Sequence, residues 1–403
     1  MIAMTLLGEV SVVQGCISGW AGWTDRPGAP VELFVWFDGR FFGRLLADEH
    51  RPDLGPGGGG DGHATFDLPV PRALVDGQAH ELRMADGDGR MLPGTPRTIH
   101  ATDCADHVLP TDTPSDGEDV VMLAIARDEG RYIEEWIAHH HGLGIGRFVI
   151  YDNDSSDGMA QRLGGNPRLA GIVEVVPWPA GAFDPAEGPQ RPAYRDAMSR
   201  LGRSGWVAIL DLDEFLVLKH DSSIHSMLRR YRDLSGITIP WKVFGSSGLA
   251  ARDDRLVTER FHYAMPAPLT KTIARQMLLA EPIMHHHSMI ERPIADELRR
   301  PLYVPDRGPV PSYRSAQINH YFTKSREEWA EKRQRGRAGM PRGAPGFQRS
   351  EAQFYSHDQC IEFDRWIDRH AWTTRAALDR LFPGHVGAEL ARHPPLLPGT
   401  DRN

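Results

Sequence analysis

Asp211, Leu212 and Asp213 follow an apolar run (206–210) and lead into Glu214-Phe215-Leu216. Two carboxylates two residues apart at a strand end can reach one hard cation. Mg2+ or Mn2+ held that way keeps open positions for diphosphate oxygens. Asp86-Gly87-Asp88, in a polar stretch, reads only as a turn. Two further acidic groups share the placement of the first: Arg127-Asp128-Glu129 follows the apolar run Val120–Ala126, and Asp152-Asn153-Asp154 follows the run 147–151. Folding alone gives no reason to gather so many carboxylates. The crowding points to a cation or a hydrogen-bonding ligand.

Other residues are weighed against plainer roles. The segment from Asp152 to Gly158 is not an EF-hand, because its sixth position is Asp157 and its twelfth is Leu163. It reads as a strand-end loop whose carboxylate meets a pyrimidine imide, with Ser156 or Asp157 capping the next helix. His139-His140-His141 falls on a helix, where consecutive side chains diverge and share no metal, and His140 sits on the apolar stripe as a core histidine. His285-His286-His287 follows an extended segment, and His286 is a candidate third ligand beside Asp211 and Asp213. Trp241-Lys242-Val243-Phe244 runs into Gly245-Ser246-Ser247-Gly248, an arrangement suited to stacking on a sugar ring. Ser325-Arg326-Glu327-Glu328 is a capping box that starts a basic helix ending near Arg337, with His320, Tyr321 and Lys324 just before it.

The elements that must position these groups follow from periodicity. Short apolar runs at 120–126, 147–151, 172–176 and 206–210 predict strands buried on both faces, and helical patterns separate them. Alternating strands and helices predict a mostly parallel sheet, whose ligands bind beyond the carboxyl ends of the strands. All three acidic groups lie on that rim. The first part of the chain alternates apolar and polar residues between turns such as Asp38-Gly39, predicting a small β-sandwich. Its Gly-rich run 56–62 lacks the Lys-Ser/Thr of a phosphate loop. The expected division is a β-rich domain at 1–105, a linker at 106–118, an α/β domain at 119–345 and a helical extension at 346–403.

Composition bounds the function. A net charge of −8 over 403 residues excludes nucleic-acid binding by bulk attraction, so an anionic ligand needs a local device. Cys16, Cys104 and Cys360 are too far apart for a disulfide framework or a zinc site, and no stretch approaches a membrane span. The expectation is a cytoplasmic protein whose only membrane contact is peripheral.

The ordered series ARDEGRYIEEWIAHHHGLGIGRFVIYDNDSSDG, WVAILDLDEFLVL, WKVFGSSG and NHYFTKSREEWAEKRQRGRA covers about residues 119–338. It resembles bacterial family 2-like glycosyltransferases, akin to the eukaryotic glycosyltransferase family 92. The β-rich part resembles accessory domains found ahead of such transferases. The resemblance implies the GT-A fold, a Rossmann-like domain for nucleotide-diphosphate sugars. It implies hexosyl transfer from a nucleotide sugar, usually UDP-linked, to a glycan or lipid-linked acceptor, as in surface polysaccharide synthesis, with Mn2+ or Mg2+ as cofactor. By position, Arg127, Asp128, Glu129, Asp152 and Asp154 would face the nucleoside, Asp211 the ribose or metal, and Asp213 the metal and diphosphate. The family's first loop is usually Lys-Asn-Glu, and this chain has Arg127-Asp128-Glu129. An inverting enzyme needs a base near the acceptor, for which Glu214 and Glu259 are candidates. His320 and Lys324 would meet charge on the leaving diphosphate. The rival readings are a nucleotidyltransferase, which lacks its Gly-rich basic loop here, and a carbohydrate-binding protein with an inactive transferase domain, which the intact Asp211 and Asp213 oppose.

Overall fold

The computed structural model describes residues 5–13, 16–26, 29, 31–47, 49–50, 63–70, 74, 77–100, 119–201, 205–219, 221, 223–275, 294–300, 312–337, 343 and 346–385. The Gly-rich run, the linker and His286 lie outside the described residues. The chain divides into two compact units, Met1–Leu109 with Ile367–Asn403, and Pro110–Trp366.

The first unit contains β1 (Leu6–Val13), β2 (Cys16–Trp23), β3 (Val31–Phe37), β4 (Arg40–Ala47), β5 (Glu49–His50), β6 (His63–Pro69), β7 (Ala79–Ala85) and β8 (Arg97–His100). They form two four-stranded antiparallel sheets in the orders β1-β2-β6-β5 and β4-β3-β7-β8. Between β3 and β4, Asp38 and Gly39 both take positive φ, the geometry that an Asp-Gly hairpin turn requires. Val31, Leu33, Val35 and Phe37 alternate inward and share one core with Ile17, Phe66 and Leu82.

The second unit contains β9 (Val120–Ala126), α1 (Ile133–Gly142), β10 (Arg147–Asp152), α2 (Met159–Gly164), β11 (Val173–Pro177), α3 (Gln190–Arg200), β12 (Trp206–Ile209) and β13 (Glu214–Leu218). It continues with α4 (Ile224–Arg229), β14 (Gly236–Phe244), α5 (Val257–Arg260), β15 (Tyr263–Arg275), β16 (Ile294–Ala295), β17 (Ala316–His320), α6 (Arg326–Arg335), α7 (Glu351–His357) and β18 (Glu362–Phe363). The main path of its mixed sheet runs β11-β10-β9-β12-β15-β14-β17-β13. The four strands expected from apolar runs pair in parallel. Strand β15 then pairs antiparallel with both β12 and β14, which makes the sheet mixed.

The expected 346–403 extension is therefore divided. Helix α7 stays with the mixed sheet, while α8 (Ala371–Leu381) belongs to the first unit. There Trp372 enters the β core, its ring centroid 5.4 Å from that of Phe37. Amphipathic periodicity identifies a helix but not the core it covers.

Helix α1 fixes the turn that carries the paired aspartates. The Trp136 indole N–H donates to the carbonyls of Asp211 (3.1 Å) and Glu214 (2.9 Å). His139 and His140 are core residues: His139 bonds the Leu216 carbonyl at 2.8 Å, and His140 accepts the Leu216 N–H at 3.1 Å. Burial lowers the His139 pKa to about 4, so it is a neutral packing residue.

Candidate active site

The loops that leave β9, β10 and β12 meet at one rim of the sheet, bordering a cavity of about 710 Å3. Arg127, Glu129, Asn153, Asp154, Asp211 and Asp213 line one part of it. Trp241, Val243, Met265, Pro266 and Leu269 form an apolar strip on β14 and β15. His320, Lys332, Arg335, Arg337 and Arg349 bring imidazole and cationic groups from β17, α6 and the segment after it.

The acidic residues have distinct surroundings. Asp211 accepts from Lys271 Nζ at 3.1 Å and from Gln190 Nε2 at 3.2 Å. Lys271 also pairs with Glu214 at 2.9 Å and is only 1% exposed. Burial works against its charge, yet Asp211 and Glu214 more than offset this and raise its pKa. Glu214 is fully buried, and one of its oxygens accepts the Asp211 backbone N–H at 2.9 Å. Burial, with Asp211 and Asp213 nearby, raises its pKa well above the carboxylate range despite Lys271.

Asp213 accepts from the Lys332 ammonium, which also donates to the Phe322 carbonyl at 2.7 Å. Burial would raise the Asp213 pKa, but the Lys332 ammonium, with Lys324 beyond it, holds it well below the ordinary value, so the carboxylate stays ionised. Burial pushes Lys332 down to about 8 against the pull of Asp213, leaving it mostly charged at neutral pH. His320 Nε2 lies 3.5 Å from the same Asp213 oxygen, and burial lowers its pKa against Asp213, so it presents a neutral imidazole. Its Nδ1 faces Glu214 Oε1 at 4.0 Å, and neither atom has a hydrogen-bond partner.

The other expected site residues divide. Arg127 and Glu129 line the cavity, and Glu129 pairs with Arg335 at 2.8 Å. Asp128 instead holds the neighbouring loop, accepting from Ser156 N at 2.6 Å and Ser156 Oγ at 3.0 Å. Asp152 accepts from Ser155 N at 3.3 Å and does not line the cavity, whereas Asn153 and Asp154 do. Glu214 and Glu259 do not line it either. Asp157, which precedes the α2 N-cap Gly158, accepts from Met159 N at 3.0 Å. Lys324 lines a second cavity of about 660 Å3, which shares Arg127, Lys332, Arg335 and Phe347 with the first.

Lys332 and Arg335 belong to the basic helix expected after the capping box, and Glu328, Lys332 and Arg335 stand there at i, i+4 and i+7 on one helix face. Lys271 carries no such signal. It is one polar residue in a strand, and it meets Asp211 only through the pairing of β12 with β15.

Among the described residues, no group of three or more His, Cys, Asp or Glu is arranged to hold a metal. The two donors Asp213 and His320 do suit a divalent cation. An ionised carboxylate and a neutral imidazole are ligands that Mn2+ accepts, and two protein donors leave positions for substrate oxygens.

Residues 126–280 match the family described as Glycosyltransferase family 92. A family 92 protein of Oryza sativa subsp. japonica is 27% identical over 178 residues, covering 42% of this chain and 30% of its own length. One from Ricinus communis is 26% identical over 208 residues, covering 48% of this chain and 33% of its own length. The chain thus spans about a third of the length of the curated relatives it matches. Among solved structures, S. aureus TarS 1-349 in complex with UDP aligns at 14% identity over 40% of this chain and 47% of that one. Its TM-score of 0.27 is too low to carry an argument about fold. Residues 126–280 of this chain are thus similar to glycosyltransferase family 92 proteins.

Proposed function

We propose that the Pro110–Trp366 unit is a metal-assisted glycosyltransferase of the GT-A type. In this reading it moves a hexosyl group from a nucleotide-diphosphate donor, with uridine the expected base, to a hydroxyl of a glycan or lipid-linked acceptor in polysaccharide synthesis. The observation that carries the reading is the placement of Asp213 Oδ2 3.5 Å from His320 Nε2, on a cavity whose adjoining wall is cationic.

Asp213 and His320 would hold Mn2+ or Mg2+. Such an ion supplies Lewis-acid neutralisation of the diphosphate. Lys332, Arg335 and Arg349 add fixed positive charge where the leaving group gathers negative charge. Asp211, steadied by Lys271 and Gln190, would accept ribose hydroxyls. Arg127, Glu129, Asn153 and Asp154 border the nucleoside end. The Trp241 to Leu269 strip offers an apolar face to the sugar and acceptor. Glu214, buried and off the cavity, would steady the Asp211 turn through the Asp211 N–H and take no acceptor proton. The base must be a group that lines the cavity.

A thermal-shift screen of nucleoside diphosphates and nucleotide sugars, with and without Mn2+, tests this reading. A ligand that binds only the folded state raises the unfolding temperature. A UDP-linked compound should give the largest rise, and Mn2+ should enlarge it. No rise with any nucleotide would overturn the reading.

A further inference from the structure

We propose that the second cavity is an oxyanion site that takes a phosphate group through Lys324 and Arg127. The cavity holds about 660 Å3, and its cationic side chains include Arg127, Arg131, Arg252, Lys324 and Arg335. Its carboxylates are already engaged. Glu328 accepts from Arg260 at 2.8 and 2.9 Å and from the Tyr132 hydroxyl at 2.8 Å. Glu331 accepts from Arg252 at 2.8 and 3.0 Å. Asp157 accepts the Gly130 and Met159 N–H groups, at 2.6 and 3.0 Å. Asp128 accepts from Ser156. Among the cations, Arg252 is held by Glu331, and Arg335 by Glu129 and by the Arg127 and Asp128 carbonyls.

Lys324 and Arg127 are different. Lys324 is 3% exposed, and its ammonium lies over the Tyr132 ring, 4.3 Å from the centroid, with no hydrogen-bond partner among the described residues. The Arg127 Nε is buried without a partner, its nearest carboxylate being Asp128 at 3.9 Å. The Thr323 hydroxyl, also on this cavity, is buried and unpartnered. Leaving a guanidinium N–H and a hydroxyl buried and unsatisfied is costly unless a ligand meets them, and the Lys324 ammonium lines the same cavity. Their combination, a point cation, a planar fork and a neutral donor, matches the acceptor oxygens of a phosphate.

The wall shared with the first cavity means that a phosphate bound here belongs to a molecule able to extend into the proposed transfer site. Two sources carry that chemistry, a phosphate of the donor and a phosphate on the acceptor. Phosphate binding itself does not depend on the transferase reading. The choice between the two sources does.

The test is titration of the full chain with inorganic phosphate at low ionic strength, followed by calorimetry. The unsubstituted protein should bind phosphate. Lys324→Gln should bind at least about tenfold more weakly, while Lys324→Arg stays within about threefold. Should Lys324→Gln melt early, Arg127→Gln carries the test, again with about a tenfold loss expected. No phosphate binding by the unsubstituted protein, or unchanged affinity in the Gln variants, overturns the proposal. Repeating the titration under saturating UDP identifies the source. Lost phosphate binding assigns the site to the donor, and retained binding assigns it to the acceptor. UDP binding without phosphate binding would leave the transferase reading standing and remove this one.

Discussion

Replacing Glu328 by Gln should cost the Pro110–Trp366 unit several kcal/mol without removing any residue proposed to touch substrate. Glu328 is 4% exposed and accepts from five donors. Oε1 takes the Tyr132 hydroxyl (2.8 Å) and one Arg260 N–H (2.9 Å). Oε2 takes the other Arg260 N–H (2.8 Å), Ser325 N (3.0 Å) and Ser325 Oγ (2.6 Å). A Gln amide must turn its NH2 toward donors at one of these positions and leaves Arg260 charged and buried. Breaking a buried pair from one side costs about 3–5 kcal/mol. For a unit of this size that lowers the melting temperature by roughly 10 °C. The pH dependence is a second reading of the same pair. Burial raises the Glu328 pKa, but the Arg260 hydrogen bonds and charge overcome it and bring the group to about 2 from an ordinary 4.5. A depressed folded pKa stabilises fully above the unfolded value and loses that contribution as pH falls toward the folded one. The contribution is on the order of 3 kcal/mol at neutral pH, with roughly half gone near pH 3. Urea unfolding of both proteins at pH 7, 5 and 3 measures it, and the gap between them should narrow as pH falls. A gap under about 1 kcal/mol at pH 7, or one that does not change with pH, would refute the reasoning.

Lys332→Met frees the Asp213 oxygen that the ammonium occupies, so Mn2+ should bind about tenfold more tightly by paramagnetic resonance titration. Unchanged affinity would mean that lysine and metal do not compete. Trp372→Ala should destabilise the first unit by about 3–5 kcal/mol, seen as an earlier thermal transition, because the indole fills the β core. A transition at the original temperature would place α8 outside that core's energetics.

How much was legible in the sequence differs by element. The strand before Asp211 could be read because all four residues of β12 are apolar and buried, as two-sided coverage demands. The capping box at Ser325 likewise fixed the start of α6. The two candidate bases stand off the cavity for different physical reasons. Glu214 opens a strand buried along its whole length, so its carboxylate turns into the protein toward Lys271. Glu259 lies in the short segment Val257–Arg260. Glu135, 122 residues earlier than Val257, takes the N–H groups of Val257 (2.8 Å) and Thr258 (2.9 Å) and winds it into α5. His320 was chosen for the leaving group, and the structure sets it beside Asp213 because β17 pairs with β13 with His320 opposite Glu214. These placements are consequences of long-range register, which local pattern does not encode.

The central claim is transfer from a nucleotide sugar at Asp213. The direct measurement is metal-dependent release of UDP from UDP-sugars by the full chain and by Asp213→Asn, with folding of both checked by circular dichroism. The account predicts Mn2+-stimulated UDP release by the unsubstituted protein and a loss of at least about a hundredfold in a folded Asp213→Asn. Equal release by the two proteins would contradict it.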